Sequence, residues 1–255
     1  MRTFILILGS IAFSCFQNTS EKILFVGNSL THYNDMPGML QKMFEERKIP
    51  IIVDSYTLPG ASLYTHSNNT EAINKIKEQK WTYVVLQDGA IPILIPEARK
   101  YRFEKSIIKI DSFIRLSNAK TLLFQSYPIT SYPDQYCYPS VMIDKSLPDQ
   151  KYCSEKLENS TQEFGIIEQA TLGISKKIDA SIAQVGFYFE LCKKRNPELN
   201  LLLGNGDPHP STAGSFLIAC VFFKQVTGEK LANLTYLGGL KDEDATKIKK
   251  LVDSL

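Results

Sequence analysis

The chain has 255 residues, with 29 Lys and Arg against 27 Asp and Glu, a formal net charge of +2. That length can bury the core of one large α/β domain, and balanced charge without a Lys/Arg cluster excludes the electrostatic footprint of nucleic-acid binding. With three histidines and no CxxC pair, a zinc site of familiar spacing is not expected, and no cofactor is called for.

The N-terminus reads MRTFILILGSIAFSC: one Arg, then an apolar run over 4–13 interrupted only by Gly9 and Ser10. The run is too short for a membrane span and fits the core of a signal peptide. Residues 1–20 are therefore expected to be a signal peptide or lipoprotein signal. Ser14 before Cys15 resembles a lipoprotein cleavage site, at which a lipid on Cys15 would attach the protein to a membrane. The expected location is outside the cytoplasm: periplasmic, secreted or lipid-anchored at the cell envelope. A frayed cytosolic N-terminus is the plain alternative.

Residues 21–255 then alternate apolar strands with helical patterns. The short run ILFV ends in Gly27-Asn28-Ser29 and precedes a helical stretch over 36–47. IPIIVDSYT reads as a second strand, LPGAS as a loop, and a short helix runs to about residue 80. TYVVLQDG is a third strand, a helix over 97–115 comes next, and TLLFQSYP is a fourth strand. An irregular insertion occupies about 127–156. Within it Cys137 and Cys153 flank a polar stretch that reads as a long loop, and an oxidising compartment would allow them to pair and staple it. Cys192 and Cys220 lie in apolar helical patterns and read as core thiols. Beyond the insertion come a helix over 157–177, the strand ASIAQVG, the helix FYFELCKKR and the strand LNLLLG. The loop NGDPHPS, the helix TAGSFLIACVFFKQVT and a terminal amphipathic helix over 242–255 complete the chain. This alternation predicts one domain, a three-layer α/β/α sandwich on a central, mostly parallel sheet.

In such a sheet the carboxyl ends of the strands share one edge, where ligands bind. Those ends carry GNS (27–29), PGAS (59–62), QDG (87–89), QSYP (125–128) and, in the last loop, GDPHPS (206–211). A hydroxyl, backbone donors, a side-chain amide and a histidine therefore converge, which are the parts that serine-based acyl transfer needs. No GxSxG is present, which argues against an α/β-hydrolase nucleophile elbow. For Ser29 alone the structural alternative is a helix cap, and for Gly60 alone it is a turn.

Four of these blocks in this order resemble the SGNH, or GDSL-type, hydrolase superfamily. GNSLT resembles its nucleophile block, with Asn28 in place of Asp; LPGASL its second block; VVLQDG its third, with Gln87 where Asn is usual; and DPHPSTAG its last. The resemblance spans 22 to about 228 and implies a flavodoxin-like fold. It further implies Ser29 as nucleophile, His209 as base, and an oxyanion hole from the Ser29 N–H, the Gly60 N–H and the Gln87 side chain. The family's acid lies three residues before its His, and here that position is Gly206. Either Asp207, two before His209, substitutes for it, or a Ser29–His209 dyad is oriented by backbone. His32 is a candidate rim residue, His66 a loop histidine without a role, and Asn28 a residue that holds the loop. The implied function is a serine esterase acting on a carboxylic ester, such as an acetyl group on a carbohydrate, through an acyl-serine. A non-catalytic glycan- or lipid-binding surface protein on the same fold and an acyltransferase are the alternatives.

Overall fold

The computed structural model describes residues 21–255 apart from 79 and 130; the expected signal segment lies outside the described residues. Five strands form a wholly parallel sheet: β1 (Glu21–Gly27), β2 (Ile51–Thr57), β3 (Tyr83–Leu86), β4 (Lys120–Phe124) and a short fifth strand, Ser181–Ala183. Their spatial order is β2-β1-β3-β4 and then Ser181–Ala183. This is the doubly wound order in which the chain reverses direction between β1 and β3, opening a crevice at the carboxyl edge.

Strand periodicity sorts β1 into both layers. Ile23 and Phe25 face one side, with Val85, Leu122 and Phe124, against Met39, Phe44, Phe216 and Phe222. Leu24 and Val26 face the other, with Val84, Leu86 and Leu123, against Ile73, Ile76, Ile107, Ile110 and Ile167. The first layer is built from Met36–Glu46, Val185–Arg195, Thr212–Thr227 and Asp242–Asp253, the second from Leu63–Ser67, Thr70–Glu78, Lys105–Leu116 and Ser160–Ile178. Phe222 meets Phe25 edge-on at 4.9 Å between ring centres. Such a buried ring is worth about 3–5 kcal/mol against Ala, so the strand carrying the site rests on a rigid floor.

Two segments differ from their sequence reading. LNLLLG does not join the main sheet: Leu202–Gly204 pairs antiparallel with Asp207–Pro210, so most of the expected loop DPHP is itself a strand. The turn between them holds Gly204, Asn205 and Gly206 at φ values of 88°, 53° and 78°, a left-handed run that the two glycines make accessible. The insertion is also ordered rather than irregular. Cys137–Pro139 pairs antiparallel with Lys151–Cys153, Ser140–Ile143 forms one helical turn between them, and Cys137 is bonded to Cys153.

Candidate active site

The first strand stops because Asn28 caps the helical turn Ser29–His32. Its side chain accepts the Leu30 N–H at 3.0 Å and donates to the Ala61 carbonyl at 2.9 Å. The capping duty open to Ser29 thus falls to its neighbour, and the Ser29 hydroxyl stays half-exposed at the start of that turn. It lies 2.9 Å from His209 Nε2. On the far side of the ring, Nδ1 is 2.6 Å from Asp207 Oδ1. The same carboxylate oxygen accepts the His209 backbone N–H at 2.9 Å. That N–H and the ring hold the Asp207 carboxyl below the usual carboxylate range, so it stays ionised beside the imidazole. With Nδ1–H donated to Asp207, the Nε2 lone pair is left to accept the Ser29 proton.

Three residues that the sequence reading does not single out fix this line. The Tyr33 ring stacks on the His209 ring, with centres 4.3 Å apart and planes 21° apart. Asn34 donates to the Pro210 carbonyl and to Ser215 Oγ, both at 2.9 Å, and Ser215 Oγ donates to the Tyr33 carbonyl at 3.0 Å. The segment after Ser29 is thereby tied to the segment carrying His209, 180 residues away in sequence. Nothing in the string YND marks these partners; they become visible only when the two segments meet. From behind, the buried Tyr127 reaches the Pro208 carbonyl at 3.4 Å and stacks on Phe189 at 4.1 Å.

Gln87 is buried at the end of β3, with 1% of its surface exposed. Its Oε1 accepts the Asn28 N–H and the Thr31 hydroxyl, each at 2.9 Å. Those donors fix the amide orientation and leave Nε2 buried with no partner among the described residues. In this structure Gln87 anchors the turn that carries Ser29, and its amide nitrogen is closed to solvent. The extra methylene relative to Asn is accommodated by Gly27, where a Cβ would stand 2.5 Å from Gln87 Oε1.

Gly60 sits at φ 69° on an exposed turn whose Ala61 N–H returns to the Leu58 carbonyl at 3.1 Å. Its own N–H has no acceptor among the described residues. Ser29, as the first helical residue, also lacks an intrahelical acceptor for its N–H.

The other two histidines part company. His32 is half-buried, with Nδ1 3.2 Å from Thr57 Oγ1. His66 is not a loop residue: it lies fully buried in Leu63–Ser67, with Nε2 2.7 Å from the Gly27 carbonyl. Burial lowers its pKa, so the ring is neutral and donates Nε2–H to the residue two before Ser29.

Beside Asn28 and Gly60 opens a cavity of about 320 Å³. Its walls include Ser62, Asp88, Arg102 and, from the disulfide-bonded insertion, Tyr138 and Met142. Among the described residues no group of His, Cys, Asp and Glu is arranged to hold a metal ion.

No protein-family model matches the chain, and no curated protein matches it in sequence. Solved structures do resemble it. A DUF4886 family protein from Bacteroides uniformis superposes with a TM-score of 0.71 at 14% identity, covering 92% of this chain and 93% of that one. A protein from Slackia heliotrinireducens assigned to the SGNH hydrolases superposes with a TM-score of 0.60 at 19% identity, over 81% of this chain and 99% of that one. An acetyl xylan esterase does so with a TM-score of 0.56 at 17% identity, over 80% and 99%. The chain has the SGNH hydrolase fold.

Within that fold, Ser29 follows β1 and Gln87 follows β3, the two strands at which the connection reverses direction. The loops after them diverge, and the crevice between them is where an open α/β sheet receives its ligand. The position three before His209 explains its own departure from the SGNH pattern. Gly206 has φ 78°, a conformation that a side chain disfavours, and the carboxylate that meets the His209 ring belongs to Asp207, the first residue of the following strand.

Proposed function

We propose that the protein is a serine esterase that hydrolyses a carboxylic ester through an acyl-Ser29 intermediate. The observation that carries this reading is the continuous line Asp207 Oδ1, His209, Ser29 Oγ, with contacts of 2.6 and 2.9 Å. His209 Nε2 takes the Ser29 proton as Oγ attacks the ester carbonyl, then returns it to the leaving alcohol. Asp207 holds the tautomer and stabilises the imidazolium that forms. The Ser29 and Gly60 N–H groups, free of other acceptors among the described residues, are the oxyanion donors. Gln87 aligns the Asn28–Ser29 peptide from behind, and its Nε2, unpartnered among the described residues, is the third donor that this reading assigns. A water that gives its proton to the same His209 then attacks the acyl-Ser29 carbonyl, the bond to Oγ breaks, and the proton returns to Ser29 as the acid leaves.

A small acyl group such as acetyl on a carbohydrate is the substrate class we assign, by analogy with the acetyl xylan esterase that shares the fold. We further propose that the protein works outside the cytoplasm, with a signal over residues 1–20 and Cys15 as a lipid attachment point. The bonded pair Cys137–Cys153 supports that location, because such bonds persist in oxidising compartments.

Hydrolysis of 4-nitrophenyl acetate by the wild type, Ser29→Ala, His209→Ala and the double variant tests the assignment. Each single change is expected to cost about three orders of magnitude or more, and the double little beyond either. Additive losses in folded variants would break the pairing.

A further inference from the structure

Resting on the esterase reading, we propose that the cavity beside Ser29 is a subsite for a carboxylate carried by the substrate, and that Arg102 is its specificity-determining residue.

The cavity abuts Asn28, the residue before Ser29, and Gly60, the assigned oxyanion donor, so it is within reach of one arm of an ester held at Ser29. At about 320 Å³ it is far larger than an acetyl group requires. Its hydroxyls come from Ser62, Thr65 and Tyr138, and its charged groups are Asp88 and Arg102. The Asp88 carboxyl is already engaged: Oδ1 accepts the Gly89 N–H at 2.9 Å and Oδ2 the Leu63 N–H at 3.2 Å. Arg102 is not engaged in this way. Arg47 and Arg115 form ion pairs with Glu229 and Asp111, whereas Arg102 has no carboxylate partner within ion-pair distance among the described residues. Its guanidinium carbon lies 4.2 Å from the centre of the Tyr64 ring, one nitrogen donates to the Met142 carbonyl, and Nε is buried without a partner.

A guanidinium clamped on one face and one corner is preorganised, and a charged nitrogen not used on Met142 remains as a charge-assisted donor for a carboxylate. The backbone around it is unusual too. Arg102 lies in a π-helical stretch, Arg99–Glu104, between Pro96–Ala98 and Lys105–Leu116, and such wide turns recur at functional sites. The ligand chemistry is thus an ester bearing a carboxylate a few bonds from the scissile group, on either the acyl or the alcohol side.

Two matched pairs of esters separate these sources. For the acyl side the pair is 4-nitrophenyl hemisuccinate against 4-nitrophenyl butyrate; for the alcohol side it is 4-acetoxybenzoate against phenyl acetate. The wild type is expected to favour the charged member of one pair by about tenfold or more in kcat/KM, the scale of one charge-assisted contact. In Arg102→Gln that ratio should fall to near one, mostly through KM, and Arg102→Lys should retain part of it. A wild-type ratio at or below one in both pairs, or a ratio that survives Arg102→Gln, would overturn the proposal. If the wild type hydrolyses none of the four esters, the esterase reading fails separately. The subsite is then decided by calorimetric titration of succinate and benzoate: binding to Ser29→Ala that is lost in Arg102→Gln supports it, and no binding refutes it.

Discussion

Asp207 Oδ1 accepts both the backbone N–H of His209, at 2.9 Å, and its ring Nδ1–H, at 2.6 Å. A carboxylate two residues before an imidazole has a short reach, and Asp in turns commonly folds back onto nearby backbone N–H groups. Here one oxygen does both. The backbone bond fixes the carboxylate, and the fixed carboxylate orients the ring.

Asp207→Asn is therefore expected to keep the fold but lose roughly 10³ to 10⁴ in turnover, because an amide can present its N–H to Nδ1 and favour the wrong tautomer. The side chain is 40% exposed, so thermal unfolding should shift little. Steady-state kinetics beside a melting curve check both halves. A rate near that of the wild type would leave a Ser29–His209 dyad, with Asp207 belonging to the turn alone.

Gln87→Ala should show two losses at once. Removing Oε1 strands the buried Asn28 N–H and the Thr31 hydroxyl, which costs about 1–3 kcal/mol of stability. Removing the donor Nε2 and loosening the turn costs about 10² in kcat. Denaturant titration together with kcat on a model acetyl ester measures both. Stability lost with kcat intact would make Gln87 an anchor only.

Cys153→Ser releases the hairpin that carries Tyr138 and Met142 to the cavity wall. The closed loop spans a sequence separation of 16, and the chain-entropy model puts its loss at about 3 kcal/mol. KM should rise more than kcat falls, since the wall moves while Ser29 and His209 do not. Parallel melting and Michaelis–Menten curves, with and without reductant, test this. An unchanged KM would separate the insertion from substrate binding.

Asp88 gives a pH dependence with a definite sign. Burial pushes its carboxyl up to about 7, against the pull of the Gly89 and Leu63 N–H groups and the charge of Arg102. The folded state thus holds this proton more tightly than the unfolded state, where the group sits near 3.8. Its contribution to stability is complete below about pH 4 and is lost as pH rises through about 7. Asp88→Asn mimics the protonated form, so the stability of this variant should fall less than that of the wild type between pH 5 and 8. Denaturation midpoints at those two values would show it, and parallel pH profiles would contradict it.

Much of this is legible in the sequence because apolar runs of four to seven residues with small polar residues at their ends specify buried parallel strands and their loops. Ile23 to Ser29 announces both the buried strand β1 and the residue exposed at its end. Asp207–Pro210 reads as loop because two prolines and an Asp argue against a strand. The pairing survives on a two-stranded edge, where lost ladder bonds matter little. His66 is opaque for another reason: nothing local distinguishes a buried histidine from an exposed one, and its partner is the Gly27 carbonyl, 39 positions earlier. The Tyr33 stack and the Asn34 and Ser215 ties share that cause.

The central claim is that Ser29 is an activated nucleophile, and a fluorophosphonate probe tests it most directly. Peptide mass spectrometry of the labelled protein should place one phosphonyl adduct on Ser29. The adduct should be absent from Ser29→Ala and strongly slowed in His209→Ala. A folded wild-type protein that stays unlabelled, or a label that persists in Ser29→Ala, would contradict the account.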